Sequence, residues 1–367
     1  MRNKQRSTLW LMLLLSGLIL WADTLLAGPL DEIVAASKKE GEVSLMLRTG
    51  FTPRSIERLG KEIKDLFGVD LKIKFTPVGG MPKSLAEAIM EHKAGAPPSY
   101  DLMTFSAHVV PGMKAGIFER VDWKSIVTKD THPDVIPENK DIFGAMIYYT
   151  GILGLMYNPG KIPADQVPRT LKDLSNPKWK NKVGLSNFTN SWARWAKVLG
   201  KDRVLSDLRD IMKNGAIQGR YVDVYNRYLL GEVDFAFVSS AYLKQAMDQG
   251  QPAAWQSLDF ADIREYSLVI RKGAKHPNAA KLVGVFLGSP QGAKFTLEES
   301  KSGNLYYPGN YEHDLSVQNK KQGVREITPD RIPELVAFSV SKEAKEWEKE
   351  IKLIFQTGGT QKAKKKK

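Results

Sequence analysis

The side chains best suited to gripping a ligand sit in short polar loops that follow apolar runs. Arg48-Thr49-Gly50 closes the run Glu42 to Leu47, Gly79-Gly80 closes Asp70 to Val78, and Ser106-Ala107-His108 closes the run that starts at Tyr100. Arg48 can hold a carboxylate or phosphate through two parallel hydrogen bonds. Ser and Thr hydroxyls donate, and glycine lets backbone N–H groups approach a ligand closely. Ser239-Ser240 follows the apolar run Val233 to Val238 and precedes a helix-forming stretch, so hydroxyls and free backbone N–H groups coincide there. This is chemistry for holding a small polar or anionic molecule. The signatures of catalysis are missing from the sequence: it has no Gly-x-Ser-x-Gly elbow, no phosphate-loop Gly-Lys-Ser/Thr and no His-Glu-x-x-His. His92, His108, His132, His276 and His313 lack metal-ligand spacing, and the zero cysteine count removes thiol catalysis and thiolate metal sites. Asp101 and Asp259 are the acids that could face each other across a cleft, although Asp101 reads as a cap at a strand start.

The elements that must carry these loops alternate. A helical piece, Leu30 to Lys39, leads to the strand Glu42 to Leu47. Thr52-Pro53 then starts a helix in which Ile56, Leu59, Ile63, Leu66 and Phe67 keep helical spacing. The strand Asp70 to Val78, the helix Pro82 to Ala94 and the strand Tyr100 to Ser106 follow. That order predicts a parallel sheet covered by helices with right-handed crossovers, in which ligands collect at the carboxyl ends of strands. The run Ile147 to Tyr157, ended by Asn158-Pro159-Gly160, reads as a strand passing from one lobe to another, followed by a short helix from Thr170 that stops at Asn176-Pro177. The pattern repeats with a strand to Leu185, helices Trp192 to Leu199, Asp207 to Asn214 and Val222 to Leu230, the strand ending at Val238 and the helix Ala241 to Gln249. Arg264 to Arg271 returns as a strand, Asn278 to Leu287 is helical, and Ser341 to Phe355 puts Ala344, Trp347, Ile351 and Ile354 on one helix face.

Length allows about two domains, and 42% hydrophobic residues with 26% charged ones describe a packed globular chain. Arg2, Lys4 and Arg6 precede an apolar core, Leu9 to Trp21, shorter than the ~20 residues of a spanning helix. That predicts a cleaved secretory signal, ending near Ala22 or Ala27, and a periplasmic mature protein. The formal net charge is +13, part of it in Lys362 and the run Lys364 to Lys367. A lysine run without interleaved aromatics is a solvated tail and does not point to nucleic acid.

Three stretches, YNP from Tyr157, TLKDLSNPKWKNKVGL from Thr170 and KGAKHPNAAKLVGVFLGSPQG from Lys272, resemble the periplasmic solute-binding proteins of ABC transporters, in particular the ferric-iron-binding-like, family 1 type. The likeness spans roughly Glu40 to Pro308. It implies an α/β fold of the type II periplasmic binding class: two lobes, each a mostly parallel sheet flanked by helices, joined by two hinge crossovers that close around a ligand. The implied division is a signal peptide at 1–27, lobe one at 28–147, crossover and lobe two at 148–262, return to lobe one at 263–310, C-terminal helices packing on the lobes at 311–356, and a disordered basic tail at 357–367. By position the ligand-binding residues would be Arg48, Thr49, Gly80, Ser106, Tyr149, Asn187, Thr189, Asn190, Ser239, Ser240 and Tyr242. Trp192, at a loop-to-helix junction, could wall the cleft, or pack in the core as Trp195 does.

Iron binders of the resembled family carry two adjacent tyrosines after the lobe-two strand, whereas this chain has Ser240-Ala241-Tyr242-Leu243. Its other tyrosine pairs, Tyr148-Tyr149 and Tyr306-Tyr307, lie elsewhere. Arg48 replaces the histidine some of them have after the first strand, and an arginine repels a cation. The expectation is therefore a monomeric, non-enzymatic component of an importer that needs no cofactor. It would hold a small-molecule or oxyanion ligand, anionic in preference to ferric iron, and deliver it to an ABC permease in the inner membrane. A periplasmic sensor or an enzyme on the same scaffold is the alternative.

Overall fold

The computed structural model describes residues 28–48, 50–106 and 109–360; the expected signal peptide, Thr49, His108 and the lysine run from Lys362 lie outside the described residues. Helix α1 (Pro29–Glu40) leads into β1 (Glu42–Leu47), α2 (Pro53–Phe67), β2 (Lys72–Pro77), α3 (Met81–Lys93), β3 (Leu102–Phe105) and α4 (Val109–Lys114). Helix α2 shows why the local sequence folds as it does. The Thr52 hydroxyl accepts the Ser55 N–H at its start, proline fills its first position, and Gly68 ends it in the left-handed region at φ 64°. Its stripe of Ile56, Leu59 and Ile63 is buried against the sheet. Strand β1 pairs in parallel with β2 and with β3, so the carboxyl ends of all three point the same way.

The chain then crosses in β4 (Met146–Tyr157), every residue of which is buried. Lobe two contains β5 (Val183–Ser186), α5 (Thr189–Leu199), α6 (Lys201–Lys213), β6 (Ile217–Gly219), α7 (Tyr221–Leu229), β7 (Phe235–Ser239), α8 (Ser240–Asp248) and β8 (Ala254–Gln256). Strand β9 (Phe260–Ile270) returns antiparallel to β4, and α9 (Pro277–Gly288) and α10 (Pro290–Ser300) cover lobe one. A third connection runs beside β4, where the Thr150 N–H reaches the Gly303 carbonyl at 2.9 Å and the Leu305 N–H reaches the Thr150 hydroxyl at 3.0 Å. After it come α11 (Tyr311–Lys321), β10 (Arg325–Ile327), α12 (Pro333–Ser339) and α13 (Lys342–Gln356).

Because β4 and β9 thread both lobes, the strands form one ten-stranded sheet in the order β2-β1-β3-β9-β4-β7-β5-β6, with β10 on β9 and β8 on β4. Helices cover both faces in each lobe, which is why these strands read as near-continuous apolar runs. Gly154 is required by packing: a Cβ there would lie 2.7 Å from the Trp255 ring. Several boundaries differ from the sequence reading. Helix α5 starts at Thr189, ahead of Trp192; β9 starts at Phe260, ahead of Arg264; and the stretch after Thr170 forms only a 3-10 turn, Lys172–Ser175. Strands β6 and β8, of three residues each, were not anticipated, since so short a run shows no alternation.

Candidate ligand-binding site

Register fixes where the lobes face each other. Phe105 at the end of β3 pairs with Ser267, and Ser239 at the end of β7 pairs with Leu153. The loops after β3 and β7 therefore meet across the middle of the β4–β9 ribbon. There Tyr149 and Tyr266 are cross-strand partners whose rings stack at 4.2 Å and 9°. Tyr148 meets Tyr149 edge-on at 4.6 Å, and the Arg48 guanidinium lies 5.1 Å from the Tyr149 ring centroid. Burial works against the Arg48 charge, yet interactions with Tyr149, Tyr266 and Tyr148, including a hydrogen bond with Tyr149, leave its pKa raised above the ordinary arginine value. Its Nε is buried with no hydrogen-bond partner among the described residues.

Lobe two supplies the opposite wall. Tyr242, in the first turn of α8, is half-buried against Tyr225 and lies in the field of Arg48 and Tyr266. Tyr221 opens α7 and lies in the fields of Asp262, Tyr266 and Arg194. Burial raises the pKa of each of these tyrosines, so all are neutral hydroxyls at physiological pH. The Ser186 hydroxyl, at the end of β5, is buried beside the Tyr221 hydroxyl and partly offsets the effect of burial on it.

Buried acids brace the ribbon. Glu312, with no exposed surface, accepts from the hydroxyls of Thr150, Ser240 and Tyr311; burial pushes its pKa up against those bonds. On β9, burial lifts Asp262 to about 7, opposed by the Arg194 charge and by the Trp195 indole N–H at 2.7 Å. Its Oδ2 also receives Arg264 at 2.6 Å. Glu265, raised by burial, pairs with Arg331 at 2.7 Å.

The residues expected from the sequence scatter around this centre. Arg48, Tyr149 and Tyr242 are brought together. Ser106 gives its hydroxyl to Met81 at 3.5 Å and borders a cavity of about 20 Å³, room for one water, with Glu265, Ser267 and Asp330. Gly80 starts α3 beside it but opens on a groove of about 510 Å³ that also takes in Lys83 and Arg271. Ser239 sits opposite Gly151, and Ser240 is spent internally, donating to Glu312 and accepting the Ile152 N–H at 3.0 Å. Asn187 and Asn190 are exposed, and the Thr189 hydroxyl turns to Glu348 of α13 at 3.2 Å. Trp192 corrects the expectation of a cleft wall. It is wholly buried, its indole N–H bonds the Ser186 carbonyl at 2.9 Å, and it packs on Trp195 and Phe355 because α5 begins a turn before it.

The acids proposed to face each other do not. Asp101 accepts the N–H groups of Ser44 and His276 and contacts the His276 ring, whereas Asp259 pairs with Arg203. In the Tyr306-Tyr307 pair the hydroxyls are committed to Glu265 and to the Gly288 carbonyl. Among the described residues no cluster of His, Cys, Asp and Glu could hold a metal ion. Tyr266, Tyr221, Arg194 and Glu312 were missed. Asp262, Arg264 and Tyr266 on alternate positions of β9 were the available signal, a polar period of two inside an apolar strand.

Known proteins share this architecture. The profile of the bacterial extracellular solute-binding proteins matches residues 60–321. A search of the curated proteins found no match. Iron-bound HitA from Pseudomonas aeruginosa superposes with a TM-score of 0.62 at 17% identity, over 84% of this chain and 99% of its own. Trichodesmium IdiA (FutA), in complex with iron and citrate, gives 0.61 at 15%, over 88% and 100%. A periplasmic thiamin-binding protein gives 0.62 at 14%, over 86% and 96%.

Proposed function

The chain belongs to the bacterial extracellular solute-binding proteins, and from that premise we propose that it captures a small organic anion or oxyanion between its lobes for an ABC importer. The observation that carries this is Arg48. Its guanidinium lies 5.1 Å from the Tyr149 ring centroid, and its Nε is buried with no hydrogen-bond partner among the described residues. A cation so placed repels a metal ion and attracts an anion, and the tyrosine rings and hydroxyls beside it suit the rest of an organic acid. The binding residues on this reading are Arg48, Tyr149, Tyr242 and Tyr266, with Ser106, Ser239 and the loop carrying Asn187 at the rim. Hinge motion about β4 and β9 would close the lobes, and the closed form would dock on an inner-membrane permease, the ligand leaving chemically unchanged. The protein would act in the periplasm as a monomer, without a cofactor.

The cluster of tyrosine hydroxyls favours a second reading, ferric iron, because phenolate is a hard oxygen donor. Against it stand the Arg48 charge and the burial that keeps those tyrosines protonated. Native mass spectrometry of protein taken from a periplasmic extract, followed by denaturing release, separates the two. An organic or oxyanion mass supports the anion; released iron with a tyrosinate-to-metal absorption band overturns it.

A further inference from the structure

Helix α12 is wedged between the two lobes. Its neighbouring residues Leu335 and Val336 belong to different cores. Leu335, with Phe338, joins the lobe-two cluster that holds Trp195 and Phe237, whereas Val336 joins the lobe-one cluster of Phe105, Val110 and Ile142. All three side chains are buried. Adjacent residues on a helix do not share a face, so one short helix can pack on both lobes at once. Just before it, Arg331 ends the 3-10 turn Pro329–Arg331 and joins three other segments. Its Nε donates to Glu265 of β9 at 2.7 Å, its Nη2 donates to the Asp134 carbonyl in lobe one, and its guanidinium lies 5.2 Å from the ring centroid of Tyr306 on the third connection. Beneath this segment lies the cavity of about 20 Å³, with Ser106 and Val110 on the lobe-one side and Asp330 and Ser339 opposite.

We propose that the segment Thr328 to Ser339 is an interlobe clasp that holds the lobes together in the absence of ligand, with Arg331 as its positioning residue and Val336 as its apolar contact. It requires the two-lobed hinge and nothing about which ligand is bound. Both flanks of the segment belong to lobe two: β10 pairs with the Phe260 end of β9, and α13 buries Ala344, Ile351 and Ile354 in the lobe-two core. Parting the lobes therefore draws Val336 out of the lobe-one core and breaks the bond from Arg331 to Asp134. Ligand reaches an enclosed cleft only when the lobes part. The clasp thus gates entry and exit, and it lowers apparent affinity by the fraction of molecules that are open.

The test is the distance between spin labels on the two lobes, measured by pulsed electron resonance on mature protein freed of ligand by denaturing release and refolding. The sequence has no cysteine, so Lys83→Cys and Val222→Cys place the labels without competition. Both positions are exposed, and they stand in the first turns of α3 and α7, which follow the carboxyl ends of β2 and β6. The doubly labelled parent should show one dominant short distance. Arg331→Gln and Val336→Ala should each raise the share of a longer distance by roughly tenfold, the factor carried by about one hydrogen bond to a charged group. Val336→Ala, the milder change, carries the test if Arg331→Gln does not fold. Phe338→Leu, which alters only the lobe-two face of α12, should lower the melting temperature and leave the distances unchanged. A parent that already rests at the longer distance overturns the proposal. So does an unchanged distribution in both clasp variants, or an equal shift in Phe338→Leu, which would reduce the segment to ordinary packing.

Discussion

Asp262→Asn isolates the cost of keeping a carboxylate inside the interlobe ribbon. Asp262 has no exposed surface, and burial carries its pKa from an ordinary 3.8 to about 7. The folded state therefore holds a proton that the unfolded chain has released between those two values. An acid whose folded pKa is raised stabilises the fold relative to its ionised form at low pH, and that stability is lost as pH rises through the window. At about 1.36 kcal/mol per pH unit, and allowing for partial ionisation at both ends, the parent should lose roughly 3 kcal/mol relative to the asparagine variant between pH 5 and pH 8. Asparagine still offers a carbonyl oxygen to the Trp195 N–H, but it takes the charged partner from Arg264, which costs the variant about 1–3 kcal/mol at both pH values. The signal is thus the change in the difference with pH, whatever its absolute size. Urea unfolding followed by tryptophan fluorescence measures it without adding salt. Glu265, Glu312 and Asp330, also raised by burial, titrate in both proteins and cancel to the extent that they are uncoupled from position 262. A parent–variant difference that stays constant within ~0.5 kcal/mol from pH 5 to pH 8 would refute the reasoning, because Asp262 would then ionise as it does in water.

Arg48→Ala should weaken binding of the released anion by roughly 1.5–3 kcal/mol, the worth of a hydrogen bond to a charged group, as measured by calorimetry; unchanged affinity removes Arg48 from the site. Glu312→Ala withdraws the acceptor shared by Thr150, Ser240 and Tyr311, and chemical denaturation should show a loss of roughly 3 kcal/mol or more from unpaired buried hydroxyls. Gly154→Ala drives a methyl into the Trp255 ring and should cost about 1–3 kcal/mol of stability by overpacking, with the fluorescence of Trp255 altered in the folded state.

The family and the lobe-one sheet were legible because their signals are local. Thr52-Pro53 and Gly68 bracket α2 in the sequence as they do in three dimensions, and the helical spacing of Ile56, Leu59 and Ile63 names its buried face without any partner being known. Arg48 was legible for the same reason, as a charged residue at the end of an apolar run. The lobe-two site was less so. Trp192 looked like a loop residue because nothing in Asn187 to Ser191 announces that α5 has begun, and one extra turn of helix rotates the indole into the core.

What the sequence by itself determined is the order and type of most elements, since alternation and helical periodicity depend only on near neighbours. Only the tertiary structure decided what Arg48 touches. Tyr149 and Tyr266 come from strands far apart in the chain, and their stacking follows from a register that a one-residue slip would invert. The same holds for Glu312, which reaches Thr150 and Ser240 through the third connection, and for Arg194, whose Nε and Nη2 prove to lack hydrogen-bond partners among the described residues only when every neighbouring element is in place. Burial and pairing are properties of the packed interior, and that interior is assembled from contacts between residues that no local pattern relates.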